Sequence, residues 1–158
     1  MTDRSARLSC LEEGVVALFA DGMKVIGLPK SVGEIYGLLY ISDKALSLDD
    51  LVERLVVSKG TASQGLKMLR TLGAIREKEV SDGRKTYYEA DVELKSLVGG
   101  FIRQEIRPHL SSAKEKIRGL AELVDDGDVF AKTRIDRLEN WRSKASLLLP
   151  ILQKLLSS

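Results

Sequence analysis

The stretch that begins at Ser47 and ends at Gly73 constrains the fold most, because its pattern indicates two short helices joined by a tight turn. Ser47 precedes an apolar-periodic run and Asp50 follows three residues later, as at a capped helix start. This helix should end near Val56, and Ser58 can cap a second helix whose end fits Gly73. The short connection predicts a helix-turn-helix.

The second helix of this pair has one apolar side and one polar side. At 100° per residue, the apolar side holds Ala62, Gly65, Leu66, Leu69 and Leu72. The opposite side carries Gly60, Ser63, Gln64, Lys67 and Thr71, flanked by Lys59 and Arg70. The sequence has no acid between Ser58 and Arg76, so this segment should not repel phosphate. Cations beside short polar side chains are what a surface needs to enter a DNA groove.

Two strands should follow and form a hairpin. Residues 75–80 and 84–90 read as strands around the turn Ser81-Asp82-Gly83. Arg84 and Lys85 lie on the tip side, where they suit phosphate or a neighbouring minor groove. Glu77, Glu79 and Asp82 keep the hairpin far from uniformly basic. Helix, turn, helix and hairpin in this order predict a winged helix-turn-helix; an ordinary helical domain with solvated charges is the alternative.

Two helices and one short strand are predicted before this region. Apolar residues recur at helical spacing across residues 3–26, which predicts a long first helix. Gly27 can end it, and Pro29 can begin a second helix that runs to about Ile41. Leu46 is expected to form a short strand against the wing.

Two long helices are predicted after the wing. Asp91 can cap the first of them, which Pro108 should kink or break near Arg107, and Asp128 can cap the second. Six residues of the last helix follow alternating steps of three and four: Leu138, Trp141, Ala145, Leu148, Leu152 and Leu155. Such a seam predicts coiled-coil contact with a second copy of the chain. An antiparallel hairpin within one chain is the alternative, and both can hold together.

The predicted dimer interface combines this seam with residues of two other helices. Its members are Leu11, Val15, Leu18, Ile117, Leu120, Leu138, Trp141, Ala145, Leu148, Leu152 and Leu155.

Composition and rare residues narrow the function classes. A chain of 158 residues that is 44% hydrophobic and 30% charged is typical of a folded soluble protein. Its formal charge of +2 is too small by itself to indicate nucleic-acid binding, so the positions of the charged residues are the more informative evidence. Cys10 is the only cysteine, and we expect it to be buried as a small hydrophobe without a redox role. His109, the only histidine, has no second ligand at metal-binding spacing.

No catalytic residue, metal site or cofactor is therefore predicted, and an enzyme is the weakest of the function classes. The sequence has no apolar run of membrane-spanning length and no secretory signal pattern, so we expect no membrane association and a cytoplasmic location.

Three segments carry a family resemblance: GLPKSVGEIYGLLY at residues 27–40, LSLDDL at 46–51 and SKGTAS at 58–63. Together they resemble the GbsR-like branch of the MarR transcriptional regulators. The resemblance continues through LGAIR and the hairpin GRKTYYEA to about residue 110. It implies a homodimeric winged-helix DNA-binding protein, often a repressor.

The resemblance and the helical periodicity select the same DNA-contacting residues. These are Ser58, Lys59, Gly60, Thr61, Ser63, Gln64, Lys67, Arg70, Arg84 and Lys85. Some relatives in the family sense choline-like compounds, for which an aromatic cage is the physical expectation. The aromatic residues form no local cage motif in this sequence, so a small-molecule effector stays unassigned.

The predicted fold class is mainly α with a small β-hairpin wing, a winged helix-turn-helix plus long dimerisation helices. The predicted division is an N-terminal dimerisation helix at 1–27, the DNA-binding domain at 28–90 and a C-terminal helical dimerisation region at 91–158. The expected function is a sequence-specific double-stranded DNA-binding transcriptional regulator, a homodimeric repressor on a pseudo-palindromic operator. The rival is a winged-helix protein-interaction module without DNA binding.

Overall fold

A computed structural model describes residues 7–79 and 83–157, and the chain divides into two compact units, Met1–Leu97 and Val98–Ser158. Seven α-helices, one π-helical segment and three strands occur in the described residues. In chain order they are α1 (Cys10–Val25), α2 (Lys30–Ile41), β1 (Leu46–Ser47), α3 (Leu48–Leu55), α4 (Lys59–Leu72), β2 (Ile75–Lys78), β3 (Tyr87–Ala90), α5 (Leu94–Phe101), the π-helix (Ile102–Ile106), α6 (Arg107–Glu122) and α7 (Val129–Ser157). The predicted fold class, mainly α with a small sheet, is confirmed.

Helix α1 begins later than predicted. The expected start near Asp3 lies outside the described residues, and the helix begins at Cys10 because Ser9 caps it. The backbone N–H of Glu12 donates to Ser9 Oγ at 3.2 Å, and the backbone N–H of Ser9 donates to the Glu12 carboxylate at 2.7 Å. Cys10 is exposed, so the expected burial of its thiol was wrong. As the first helical residue, it lies off the buried face.

The buried face of α1 packs closely on α2. Val16, Ala20 and Met23 are buried, whereas two residues of the predicted stripe, Leu11 and Leu18, are 66% and 69% exposed. A Cβ atom at Gly33 would overlap the backbone of α1, so a larger residue there would push the two helices apart.

Helices α3 and α4 form the predicted helix-turn-helix. Ser47 accepts the N–H of Asp50 at 3.2 Å while the Asp50 carboxylate accepts that of Ser47 at 2.8 Å, a complete capping box. Gly73 closes α4 in the left-handed conformation, as predicted. In the turn, Val56 also has a positive φ of 55°, which a β-branched residue rarely adopts.

The wing is a three-stranded antiparallel sheet in the order β1, β3, β2. Leu46 pairs with Tyr88, which confirms the expected strand before the helix-turn-helix, and Ile75 pairs with Ala90. Both hairpin strands are shorter than predicted, so Arg84 and Lys85 precede β3. Residues 80–82, which include most of the predicted turn, lie outside the described residues.

The second unit contains the helical hairpin that was the alternative for the C-terminal region. Helix α7 returns along α6 after a short connection, and the Arg107 guanidinium donates to the Gln153 side chain. Asp128 caps α7, since its carboxylate accepts the N–H of Ala131 at 2.9 Å. Upstream of Pro108, the helical path changes to a π-helix rather than breaking near Arg107.

The predicted seam of α7 stays largely exposed in a single chain. Leu149 is buried, whereas the seam residues Leu148 and Trp141 are 57% and 75% exposed. Two residues expected to be buried along the preceding helix, Val98 and Leu120, are also exposed. The hairpin and an additional intermolecular seam are therefore compatible.

Candidate nucleic-acid interface

Helix α4 presents the polar face that its sequence predicts. All five residues of the expected apolar side are buried, and Gly60, Ser63, Gln64, Lys67 and Thr71 are exposed, with Lys59 and Arg70 beside them. We call these seven residues the polar face of α4. Gly65 lies against Ile35 of α2, where an added Cβ would meet the Ile35 side chain, so the helix is held closely on the core. Packing on one side therefore fixes which side chains face outward.

Two predicted contact residues have a structural role at the start of α4. The backbone N–H of Thr61 donates to Ser58 Oγ at 3.0 Å, and the Ser58 hydroxyl donates to Thr61 Oγ1 at 2.8 Å. The first of these bonds pairs an N–H group that the start of a helix leaves without a backbone partner. Their polar atoms are therefore less available to a ligand than those of Ser63 and Gln64, which are exposed on the following turn.

An acid from α3 lies between the polar face of α4 and the wing. Asp49 Oδ1 is 3.6 Å from Lys59 Nζ, and Asp49 Oδ2 is 3.7 Å from Lys85 Nζ. The two lysines come from different elements, so one carboxylate brings a cation of α4 and a cation of the wing close together. Asp49 was not among the predicted site residues because it precedes α4 in sequence and approaches only in the folded chain.

A second acid approaches the far end of the same helix. Arg70 donates from its guanidinium toward Glu77 of β2, with 2.9 Å between Nη1 and Oε1. The α4 segment itself has no acid, but the folded surface therefore carries negative charge from neighbouring elements. Within residues 7–79 and 83–157, Lys67 has no such ion pair, and it is exposed at the centre of the polar face.

The base of the wing is fixed by hydrogen bonds to Asp91. The Tyr36 hydroxyl donates to the Asp91 backbone carbonyl at 2.8 Å, and Tyr36 is fully buried. Burial, together with the negative charge of Asp91, raises the pKa of Tyr36 to about 12. The Asp91 carboxylate accepts the Ser96 hydroxyl at 2.8 Å and the N–H of Glu93 at 3.0 Å, which holds the pKa of Asp91 below its usual value.

Across the two hairpin strands, the Arg76 guanidinium donates to the Glu89 carboxylate at 2.7 Å and lowers the pKa of Glu89. Both side chains sit on the solvent side of the wing, so this pair aligns the strands without adding net charge to the surface.

Three aromatic residues from two helices meet in the first unit. The centroid of the Phe19 ring is 4.9 Å from that of Tyr36, in an edge-to-face arrangement, and 5.4 Å from that of Tyr40. No local cage motif marks these residues in the sequence, and folding brings their rings together from α1 and α2. Because they pack on one another, Phe19 and Tyr40 contact the buried Tyr36 ring at the edge of the core.

These elements define a winged helix-turn-helix protein. They are a capped helix-turn-helix, an antiparallel hairpin and a third strand formed by the residue pair before α3. Sequence comparison narrows the class. The chain is 24% identical over 144 residues to the HTH-type transcriptional repressor GbsR of Bacillus subtilis (strain 168), spanning 87% of the chain and 79% of that relative. It is 31% identical over 81 residues to the HTH-type transcriptional repressor OpcR of the same organism, spanning 51% of the chain and 43% of that relative.

A solved structure described as a transcriptional regulator has the same fold. Its TM-score is 0.75 at 20% identity, with 92% of the chain and 95% of that structure covered. No family model matches the chain. The predicted resemblance to GbsR-like regulators is confirmed, and both named relatives are transcriptional repressors, which is a non-enzymatic role.

Among the residues that the structure describes, no group of three or more His, Cys, Asp or Glu side chains is arranged to hold a metal ion. None of the helices in that part of the chain has the length and apolar content that a membrane span requires.

Proposed function

We propose that this chain is a sequence-specific, double-stranded DNA-binding transcriptional repressor that acts as a homodimer. The observation that carries the proposal is the polar face of α4, an exposed helix surface of short polar side chains and cations on a rigidly packed helix. A helix of this kind fits the major groove, which is wide enough to admit it and presents a distinct pattern for each base pair. The relatives named repressors support the same function.

Within this face, each residue type has a different role. Gln64 is exposed and carries both a donor and an acceptor, so we assign it a base edge, with adenine as the expected partner. Lys67 is assigned to a backbone phosphate. The other predicted contacts, Ser58, Lys59, Gly60, Thr61, Ser63 and Arg70, surround these two.

The wing extends the same surface. Lys85 and Lys59 approach one carboxylate, so Lys85 of the wing lies beside the start of α4. We assign Arg84 and Lys85 to the phosphate backbone or the minor groove next to the occupied major groove.

Dimerisation is proposed from two exposed apolar surfaces, one in each unit. In α1, Leu11 and Leu18 lie seven residues apart and are mostly exposed. In α7, the seam from Leu138 to Leu155 is exposed while Leu149 is buried. Apolar surface of this extent at regular spacing marks a protein-protein interface. We accordingly assign residues 1–27 and 91–158 to dimerisation and residues 28–90 to DNA binding.

Two-fold symmetry determines the form of the operator. Two recognition helices related by a two-fold axis read inverted half-sites, whose centres lie about 10 base pairs apart or a multiple of that. The operator is therefore a pseudo-palindrome.

Selection of genomic DNA fragments by the purified protein tests the proposal. Fragments from the source genome that carry a common inverted repeat are expected to be retained, and their affinity should fall steeply as salt is raised. Failure to retain any DNA at about 50 mM salt would contradict the proposal, because electrostatic binding is strongest there.

One observation favours a second candidate, a winged-helix module that binds a protein instead of DNA. Lys59, Lys85 and Arg70 are each within ion-pair distance of an acid of the same chain, which reduces the positive charge that the surface offers to DNA. The two candidates differ in salt response. A protein-binding module would leave genomic DNA unbound at low salt.

A further inference from the structure

Asp49 occupies a position that the helix start does not require. It is the second residue of α3, whose capping box is completed by Ser47 and Asp50. The Asp49 carboxylate is therefore available to other partners, and it lies 3.6 Å from Lys59 Nζ and 3.7 Å from Lys85 Nζ. One of these lysines begins α4, and the other precedes β3.

These ion pairs contribute little to the stability of the fold. The side chain of Asp49 is 55% exposed, and those of both lysines are exposed as well. Exposed pairs at such distances are screened by water and salt. Their consequence is larger for an incoming polyanion, because phosphates and the carboxylate would share the same two ammonium groups.

We propose that Asp49 is an affinity-setting residue that holds Lys59 and Lys85 in the DNA-free protein and limits their attraction for phosphate. This inference rests on the proposed DNA-binding function. When DNA binds, the two ammonium groups exchange the carboxylate for phosphate oxygens, and the displaced carboxylate remains beside the DNA backbone. Asp49 thus cancels part of the attraction that the two lysines supply.

The effect should not depend on DNA sequence. Phosphates are present in every sequence, so the carboxylate weakens operator and unrelated DNA by the same factor. Asp49 therefore sets the overall strength of binding, whereas discrimination between sequences belongs to residues that reach base edges.

Asp49→Asn tests the proposal, with Glu53→Gln as the matched control. Glu53 is an exposed acid one turn further along α3, it is in no ion pair within the described part of the chain, and its substitution makes the same change in net charge. Asp49→Asn is expected to steepen the dependence of log affinity on log salt by about 0.9, because removing one opposing charge is equivalent to one added phosphate contact. Its affinity for DNA should rise by about threefold to tenfold at moderate salt, equally for operator and unrelated DNA. Glu53→Gln should leave the slope unchanged.

The same substitution in a Lys59→Ala, Lys85→Ala background separates a local effect from a general one. If Asp49 acts through the two lysines, the gain from Asp49→Asn disappears there. Asp49→Ser provides a second neutral side chain that suits the first turn of a helix, and it should reproduce the steeper slope. Thermal melting of each variant establishes that the fold is intact.

The outcomes distinguish the two levels of the argument. A wild-type protein that retains no DNA at low salt overturns the proposed function and this inference with it. A wild-type protein that binds DNA, with Asp49→Asn indistinguishable from Glu53→Gln, overturns this inference alone. Persistence of the gain without the two lysines also overturns it.

Discussion

Three consecutive leucines of α7 allow a sharp test of the dimer, because they differ in exposure. Leu147 is 71% exposed, Leu148 is 57% exposed and belongs to the predicted seam, and Leu149 is 8% exposed. We predict that Leu148→Asp dissociates the dimer while the single chain stays folded. The substitution places a charge on a side chain that a single chain leaves in water, so the penalty arises only in the dimer.

The size of the effect follows from the exposed fraction. A partner can bury at most the 57% of Leu148 that a single chain leaves exposed. Full burial of a leucine contributes about 1.5 to 3 kcal/mol, so this fraction corresponds to about 0.9 to 1.7 kcal/mol per copy, or about 1.7 to 3.4 kcal/mol per symmetric dimer. That weakens the dimer by about 20- to 300-fold. An unpaired carboxylate buried in each copy adds several kcal/mol more.

Sedimentation equilibrium over a concentration series measures this, and circular dichroism melting reports folding. Leu148→Asp should give a folded monomer. Leu147→Asp, which adds the same charge outside the seam, should remain dimeric, and Leu149→Asp should lower the melting temperature because its side chain is buried. A Leu148→Asp protein that stays dimeric with wild-type affinity would refute the seam assignment.

Further predictions concern the DNA surface and the base of the wing. Gln64→Ala should relax discrimination at one base position by about 1 to 3 kcal/mol, whereas Lys67→Ala should weaken binding to all DNA alike. Titrations against single-base operator variants test this, and unchanged discrimination in both variants would reject the assignment. Arg84→Ala with Lys85→Ala should flatten the salt dependence by about 1.8, two phosphate contacts, and an unaltered slope would exclude the wing from the phosphate backbone. The fold raises the pKa of Tyr36 from 10.0 to about 12. The neutral phenol therefore stabilises the folded protein below pH 10, and this contribution of about 2 to 3 kcal/mol is lost as pH rises toward 12. Tyr36→Phe should remove this part of the fall in the free energy of unfolding, which urea titrations at several pH values measure. A variant whose pH profile is identical to that of the wild type would contradict the assignment.

Local signals in the sequence predicted the helix-turn-helix well. Ser47, Ser58 and Gly73 act through atoms a few residues away, so their effect on the backbone is encoded locally. The apolar period of α4 likewise identified the buried side, since one face of a short helix must meet the core.

Features that depend on distant residues were predicted less well. The acid-free segment indicated a surface without negative charge, but Asp49 and Glu77 approach it from neighbouring elements. The exposure of Cys10 depends on where α1 begins, which the Ser9 capping box determines more strongly than the apolar stripe does. The π-helix before Pro108 is one of several ways to accommodate a proline, and the sequence pattern does not choose among them.

The central claim is that α4 enters the major groove of DNA in both copies of a symmetric dimer. The single native cysteine makes a direct measurement feasible, because Cys10→Ser followed by Gln64→Cys places one thiol on the polar face of α4. An iron chelate attached there should cleave the selected operator at two positions related by a two-fold axis, about 10 base pairs apart or a multiple of that. The same chelate on Ser112→Cys, an exposed position of α6, provides the control. Cleavage from position 64 at two symmetric major-groove sites is the predicted result, and a bound operator that position 64 leaves uncut while position 112 cuts it would contradict the account.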